Sequence, residues 1–176
     1  MRQIDPVSFN PKRAAVLALI YPISDWAHLA LIRRNTYTGV HSAQIGFPGG
    51  KIERDDASAL HAALRETEEE IGVDRGKIEV LSALSPVYIP PSNFCVSPFL
   101  GFARTTPAFI PDPREVSEII QIPISSLLDE GSVRIKTMPT SYSESIAVPC
   151  FSIHGHDIWG ATAMMLSELK DVLKNH

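Results

Sequence analysis

The sequence predicts an α/β fold in which strands and helices pack in layers around one core. Two short apolar segments, residues 14–21 and 29–33, are bounded by proline and polar residues and are typical of neighbouring strands. Helical periodicity follows over residues 56–71 and returns over residues 159–173. Strands before and after a central helix, together with a closing helix, indicate α/β layers.

The remaining strands are predicted from shorter signals. Residues 45–50 have room for only a short strand that runs into a tight, glycine-containing loop. Residues 78–88 and 94–103 predict two further strands, separated by a turn that contains two prolines. Residues 116–122 predict one more strand, which we expect to end at Pro123.

The composition indicates one globular domain spanning residues 1–176. Hydrophobic residues make up 44% and charged residues 20% of the chain, a balance that argues against disorder. A net charge of −4 gives no electrostatic attraction for a nucleic-acid backbone. The longest apolar stretch is too short to cross a bilayer, and the first residues lack the pattern of a signal peptide. We therefore expect a cytoplasmic protein with no nucleic-acid or membrane partner, and the sequence leaves its oligomeric state open.

The helix predicted over residues 56–71 has two different faces. Glu66 and Glu70 lie one turn apart on one flank, Glu69 lies beside them, and Glu68 projects away. Three carboxylates on one flank repel each other by roughly 0.2–0.5 kcal/mol per pair, and a bound cation would reverse that cost. Oxygen ligands of this kind favour Mg²⁺ or Mn²⁺, although a solvated acidic surface is the alternative for the helix alone. The opposite face is predicted to pack on the core through Leu60, Ala63, Leu64, Thr67 and Ile71.

Two glycines, Gly49 and Gly50, stand just before this helix. Glycine lets a backbone approach a ligand closely, although a plain turn is the alternative for the pair alone. A loop of this kind in tandem with an acidic helix would bring backbone carbonyls and amides near the carboxylates, as a metal-bound pyrophosphate requires. We expect Asp55 or Asp56 to cap the start of the helix and Gly72 to end it.

The loop and the helix together resemble the signature of the Nudix hydrolase family, Gly-x5-Glu-x7-Arg-Glu-U-x-Glu-Glu-x-Gly-U, in which U is apolar. Residues 65–73 match its second half, with Thr67 in place of an apolar residue. In the first half, Gly50 is followed after five residues by Asp56, not glutamate, and eight residues then precede Arg65. The resemblance implies a Nudix-type α/β/α sandwich with a mixed sheet, and metal-dependent hydrolysis of a nucleoside diphosphate derivative.

The longer spacing before Arg65 is similar to that of the coenzyme A pyrophosphatase branch of this family. Segments 89–94 and 158–163 also resemble that branch. The branch implies hydrolysis of coenzyme A or its derivatives to 3′,5′-ADP and phosphopantetheine products. Hydrolysis of ADP-ribose, NADH or another nucleoside diphosphate derivative is the alternative, and a non-catalytic nucleotide-sensing domain is a third reading. The upstream motif of the branch is matched by Arg33, Arg34, His41, Gln44 and the Phe-Pro-Gly-Gly of residues 47–50, with Ala43 in place of a glycine.

The family resemblance also implies roles for the acidic residues. Glu66 and Glu70 are expected to bind the metal directly, Glu69 to bind it or orient water, and the carbonyl of Gly49 to add a ligand. A further acid from outside the motif is expected to be Glu115 or Glu118, with Glu115 favoured.

In the family, the motif arginine braces the loop through a carboxylate. This residue is Arg65, and either Asp56 or Glu53 is the expected partner.

The expected substrate-binding groups lie upstream of the helix. One of the two arginines is a candidate for holding the 3′-phosphate of coenzyme A, because arginine pairs with phosphate through two hydrogen bonds. Trp159 is interpreted as packing the last helix on the core, in preference to stacking on an adenine. The predicted set is Arg33, Arg34, His41, Gln44, Gly49, Gly50 and Lys51.

Overall fold

The computed structural model describes residues 10–35, 44–140 and 143–175. In these ranges, eleven strands form one large and one small sheet, and three α-helices cover them. The strands of the large sheet are β1 (Lys12–Ile23), β2 (Trp26–Arg34), β3 (Ile45–Gly46), β4 (Gly49–Lys51), β5 (Ile78–Ala83), β6 (Val87–Ile89), β7 (Phe94–Ala103) and β8 (Val116–Pro123). The other elements are β9 (Val133–Thr140), β10 (Ser143–Ile153), β11 (His156–Trp159), α1 (Ala59–Ile71), α2 (Ile124–Leu128) and α3 (Gly160–Lys174).

The large sheet is mixed, as predicted. Its order is β3-β2-β1-β7-β5, with β4 paired to β1, β6 to β7 and β8 to β2. Strands β1 and β7 run parallel, and the other pairs described in this sheet are antiparallel. The small sheet has the order β11-β10-β9 and is antiparallel.

Strand β1 divides the core into two layers because its side chains alternate between the two faces of the sheet. On one face, Leu17, Leu19 and Tyr21 pack with Ala62, Ala63 and Ile71 of α1. On the other face, Ala18 and Ile20 pack with Leu166 and Leu169 of α3 and with Phe151 and Ile158 of the small sheet. The structure is therefore an α/β/α sandwich with the small sheet added to the α3 side.

Helix α1 begins later than the sequence predicted. Its N-cap is Ser58, whose Oγ accepts a hydrogen bond from the N–H of His61 at 3.1 Å, so the predicted caps Asp55 and Asp56 were wrong. Asp56 is not available as a cap because its carboxylate binds elsewhere, as described below. The predicted end at Gly72 is confirmed: its φ of 71° is left-handed, and its N–H donates to Glu68 O.

One predicted strand is two strands in the structure. The segment 78–88 is interrupted between β5 and β6, where the N–H of Ser85 donates to the carboxylate of Glu168 on α3 at 2.9 Å. The next residue, Pro86, has no N–H with which to continue a ladder. Strand β6 is thereby anchored to α3 instead of continuing β5.

The region between Pro123 and α3 contains elements that the sequence did not predict, namely α2 and the whole small sheet. Strand β8 includes Pro123, which was expected to follow it. No helix in the described part of the chain is both long and apolar enough to span a membrane.

Replacing the observed cap tests this account of α1. Ser58→Ala is expected to lower the free energy of unfolding by about 1 kcal/mol, because an N–H of the first turn loses its acceptor. Asp55→Ala, at the exposed site first expected to cap the helix, is the matched control and should change it by less than about 0.5 kcal/mol. Urea denaturation measures both, and an Asp55 effect equal to the Ser58 effect would contradict the assignment.

Candidate active site

The Gly49–Gly50 loop lies against both the sheet and α1, and it leaves no space for side chains. Gly49 has a φ of 143°, and a Cβ there would lie 2.4 Å from the carbonyl oxygen of Ala15. A Cβ on Gly50 would lie 2.5 Å from Oε2 of Glu66. The two glycines thus allow the carboxylate of Glu66 to pack directly on the loop backbone.

Glu70 joins the loop to the sheet and the helix. Its Oε2 accepts the N–H of Gly49 at 2.7 Å, and its Oε1 accepts Nη1 of Arg34 at 2.9 Å. The Nη2 of Arg34 donates to the carbonyl of Gly49 at 2.5 Å. The side chain of Glu70 is only 1% exposed and that of Arg34 is 25% exposed, so groups from β2, β4 and α1 meet in a closed, partly buried ring of hydrogen bonds.

The electrostatics of this cluster favour a cation. Burial raises the pKa of Glu70 to about 7; Arg34 and the N–H of Gly49 oppose the rise, and the charges of Glu66 and Glu115 add to it. Burial likewise raises the pKa of Glu66, with Arg65 opposing the rise. Like charges in a poorly solvated site are stabilised when a positive charge is brought near.

Glu115 is held near this cluster by backbone contacts. The N–H of Asp112 donates to the backbone carbonyl of Glu70, and the N–H of Asn35 donates to the backbone carbonyl of Glu115, both at 2.9 Å. Glu118, the other candidate, instead forms an ion pair with Arg33 at 2.9 Å. The role of Glu115 as the further acid stays a prediction.

Arg65 braces the loop, and its partner is Asp56. Its Nε and Nη2 donate to the two oxygens of Asp56 at 2.9 Å each, and Nη2 also reaches the carbonyl of Lys51 at 3.3 Å. These bonds with Arg65 hold the pKa of Asp56 below its ordinary value. The other candidate, Glu53, contributes its backbone N–H to Asp56 at 2.8 Å.

Glu69 lies at the edge of the cluster. Nη1 of Arg65 donates to both Glu66 and Glu69 at 2.9 Å, but the side chain of Glu69 is 59% exposed. Glu68 projects away, as predicted, and pairs with Arg75. The direct role predicted for Glu69 stays a prediction.

The cluster offers the oxygen atoms that a hard divalent cation prefers. In the part of the chain that the structure describes, no three His, Cys, Asp or Glu side chains are grouped closely enough to hold a metal ion by themselves. A ligand set here would combine the carboxylates of Glu66 and Glu70 with the backbone carbonyl of Gly49, which Arg65 and Arg34 also contact. Water and phosphate oxygens would complete it, as is usual for Mg²⁺.

A pocket of about 480 Å³ opens beside the loop. Of the predicted substrate-binding residues, Arg34, Gln44, Gly49, Gly50 and Lys51 line it. Arg33 does not line it: besides its ion pair with Glu118, it lies 3.0 Å from Nδ1 of His156. The predicted contact His41 lies outside the described residues.

Another part of the pocket wall comes from residues that the sequence analysis did not assign to substrate binding. Trp159 lines the pocket and is half-buried, so it is not one of the fully buried core residues, and its interpretation as a core-packing residue stays a prediction. Asp157 lies on the same wall and accepts hydrogen bonds from Lys136 and Ser152. The remaining apolar lining includes Val16, Tyr88, Pro90, Phe94 and Met164.

The family model described as NUDIX domain matches residues 11–139, well over half of the chain. The chain belongs to the Nudix hydrolase family. This confirms the membership predicted from the loop–helix motif.

Curated relatives resemble this Nudix hydrolase over most of its length. Mitochondrial coenzyme A diphosphatase NUDT8 of Homo sapiens is 32% identical over 159 residues, which cover 89% of this chain and 67% of the relative. Nudix hydrolase 15, mitochondrial, of Arabidopsis thaliana is 33% identical over 169 residues, which cover 92% of this chain and 59% of the relative. The chain thus spans less than two thirds of that plant protein. Uncharacterized Nudix hydrolase NudL of Photorhabdus laumondii is 31% identical over 163 residues, which cover 93% of this chain and 86% of the relative.

Solved structures confirm the fold. The Nudix hydrolase RenU of M. smegmatis has a TM-score of 0.64 at 15% identity, covering 94% of this chain and 87% of its own. A binary complex of C. elegans Ap4A hydrolase has a TM-score of 0.62 at 12% identity, covering 94% and 99%. The NUDIX domain of Shewanella oneidensis NrtR, complexed with ADP ribose, has a TM-score of 0.53 at 20% identity, covering 72% and 82%.

The brace between Arg65 and Asp56 is testable by stability. Asp56→Asn is expected to lower the free energy of unfolding at neutral pH by about 2 kcal/mol, because Arg65 loses a charged partner and stays in place. Glu53→Gln, a nearby exposed carboxylate, is the matched control and should change it by less than about 0.5 kcal/mol. Urea denaturation of the three proteins measures both values.

The difference in the free energy of unfolding between the native protein and Asp56→Asn should depend on pH in one direction. Because Arg65 lowers the pKa of Asp56 in the folded state, the unfolded chain takes up this proton first as the pH falls. The stabilisation is therefore complete above the ordinary aspartate pKa of about 3.9 and is lost as the pH falls toward the lowered folded-state pKa. The gap between the native protein and Asp56→Asn should narrow below about pH 4; a gap that widens there would contradict the pair.

Proposed function

We propose that this Nudix hydrolase is a metal-dependent pyrophosphatase that hydrolyses the diphosphate of coenzyme A or its derivatives to 3′,5′-ADP and phosphopantetheine products. The observation that carries the proposal is the set of contacts that holds Glu70 and Glu66 against the Gly49–Gly50 loop, which also lines an open pocket. The upstream residues shared with the coenzyme A branch and the similarity to a coenzyme A diphosphatase support the choice of substrate.

Each part of the site has a proposed task. Mg²⁺ or Mn²⁺ held by Glu66, Glu70 and the Gly49 carbonyl would neutralise diphosphate charge and lower the pKa of bound water. Arg65 keeps Glu66 against the loop, since it donates to Glu66 and also to the loop carbonyl of Lys51. Glu115, whose charge acts on both glutamates, is proposed to help orient the attacking water.

The cations of the pocket are proposed to bind the substrate's phosphates. The side chain of Lys51 is on the pocket wall and shows no ion pair among the described residues. Arg34 reaches the same pocket while holding Gly49 and Glu70. In the hydrolysis, water oxygen bonds to one phosphorus, the bridging P–O bond breaks, and the water proton leaves with a base that we do not assign.

ADP-ribose, NADH or another nucleoside diphosphate derivative is the second candidate substrate. The fold neighbour from Shewanella is described in complex with ADP ribose. In the proposed mechanism the loop and α1 would contact only the diphosphate that these compounds share. A non-catalytic nucleotide-sensing role is disfavoured because the second half of the motif retains its glutamates. The single domain and the cytoplasmic location stay predictions; the human and Arabidopsis relatives are named as mitochondrial.

A substrate panel tests the choice of substrate. With Mg²⁺ or Mn²⁺ present, kcat/KM for coenzyme A is expected to exceed that for ADP-ribose and NADH by about ten-fold or more, equivalent to one well-placed extra contact. Chromatography should show 3′,5′-ADP and 4′-phosphopantetheine, and removal of the metal with EDTA should abolish turnover. Equal or faster turnover of ADP-ribose would refute coenzyme A as the preferred substrate.

The role of Glu70 is tested against a glutamate on the same helix. Glu70→Gln is expected to lower kcat by roughly 100-fold or more and to weaken Mn²⁺ binding measured by electron paramagnetic resonance, because a charged ligand is lost. Glu68→Gln removes an equal charge from the face that pairs with Arg75 and should leave both values within two-fold, as is usual for surface changes. Unchanged Mn²⁺ affinity in Glu70→Gln would exclude Glu70 as a ligand.

A further inference from the structure

Strand β11 presents two chemically different groups to the same side of the pocket. Asp157 and Trp159 are two residues apart, so their side chains lie on one face of the strand, and both line the pocket. Ile158 between them faces the other way and is fully buried in the core. The Gly49–Gly50 loop and the adjoining Lys51 form another part of the same pocket. One cavity is therefore lined both by the Gly49–Gly50 loop, against which Glu66 packs, and by an aromatic residue and a carboxylate.

The carboxylate of Asp157 is fixed in place. Nζ of Lys136 donates to both of its oxygens at 2.7 Å, and Oγ of Ser152 donates to Oδ1 at 2.5 Å. These bonds lower the pKa of Asp157, and the charge of Arg134 contributes in the same direction. An ionised carboxylate can only accept hydrogen bonds, and the Asp157 side chain remains 31% exposed. It therefore offers a rigid acceptor to a ligand that brings a donor.

These two groups select a particular kind of ligand. A phosphate would be repelled by Asp157, so the anionic part of the substrate belongs at the Lys51 end of the pocket. The flat ring of Trp159 favours a flat, stacked partner, and Asp157 requires an N–H donor beside it. A nucleobase with an exocyclic amine has both properties.

We propose that Asp157 and Trp159 form the nucleobase subsite of this pocket: adenine stacks on Trp159 and donates its exocyclic amine to Asp157. Lys136 and Ser152 act as positioning residues for the carboxylate. The inference rests on the proposed function only in taking a nucleoside diphosphate derivative as the substrate. The inference does not depend on which group is attached to the phosphate that is farther from the nucleoside.

Tryptophan fluorescence reports on this subsite directly. The chain has two tryptophans, and the other, Trp26, is 67% exposed at the β1–β2 turn. Trp26→Phe leaves Trp159 as the sole tryptophan of the full chain. Its emission is expected to change saturably on titration with 3′,5′-ADP and not with 4′-phosphopantetheine. A response to 4′-phosphopantetheine, which also carries amide donors, or the absence of a response to 3′,5′-ADP, would overturn the proposal.

The contact with the amine is tested by exchanging the base. Hypoxanthine lacks the exocyclic amine, so 3′,5′-IDP should bind about ten-fold more weakly than 3′,5′-ADP. In Asp157→Asn the ratio of the two affinities should fall to about one or below. Asp171→Asn, an equal loss of charge on an exposed part of α3, should keep the native ratio. An Asp157→Asn protein that keeps the native ratio would refute the contact.

The stacking contact is tested by a pair of substitutions. Measured by calorimetry, Trp159→Leu should lower the affinity for 3′,5′-ADP by roughly ten-fold. Trp159→Phe retains an aromatic ring and should recover part of this lost affinity. Equal losses in both variants would refute stacking.

Failure of this subsite and failure of the proposed function are distinguishable. If coenzyme A is hydrolysed but Trp159 does not respond to 3′,5′-ADP, the subsite is wrong and the proposed function stands. If Trp159 responds and the base preference depends on Asp157, the subsite stands even where coenzyme A is not the preferred substrate.

Discussion

The site depends on the buried carboxylate of Glu70. It binds the N–H of Gly49 and the guanidinium of Arg34, which in turn binds the carbonyl of Gly49. These three bonds tie α1, the loop and β2 together at a point where the loop backbone touches the sheet and has no room for a side chain. Burying a carboxylate with fewer partners would be strongly unfavourable, so its position requires all three elements to be in place.

Arg65 fixes the outer side of the same loop. Glu70 binds the loop from the buried flank of α1, and Arg65 binds it from the other flank. The bidentate pair between Arg65 and Asp56 holds the chain just before the helix. This explains why the helix begins at Ala59: Asp56 is committed to Arg65, and Ser58 remains to cap. The extra residue in the motif is accommodated between Asp56 and Arg65 without loss of the brace.

The loop–helix end of the site was predictable from the sequence because its determinants are local. The spacing of Glu66 and Glu70 places both on one flank of the helix. The two glycines indicate that the loop backbone approaches its neighbours closely. Prediction failed where long-range contacts decide. At the break in the strand over residues 78–88, the local signal of Pro86 was overlooked, and the partner of Ser85, Glu168, lies more than eighty residues away. Arg33 differs from Arg34 because its side chain contacts Glu118 and His156, which are also distant in sequence.

The same division between local and long-range contacts separates chemistry from specificity. In the proposed function the loop and α1 act on the diphosphate, which is common to many substrates, and one short stretch of sequence encodes them. The other wall of the pocket is built by β11, whose Asp157 depends on Lys136 from β9 and Ser152 from β10. Because these bonds join side chains from three different strands, substitutions in the small sheet are expected to alter the proposed base subsite while the bonds between Glu70, Arg34 and Gly49 stay intact. Substrate choice can therefore diverge among relatives that keep the same hydrolytic centre.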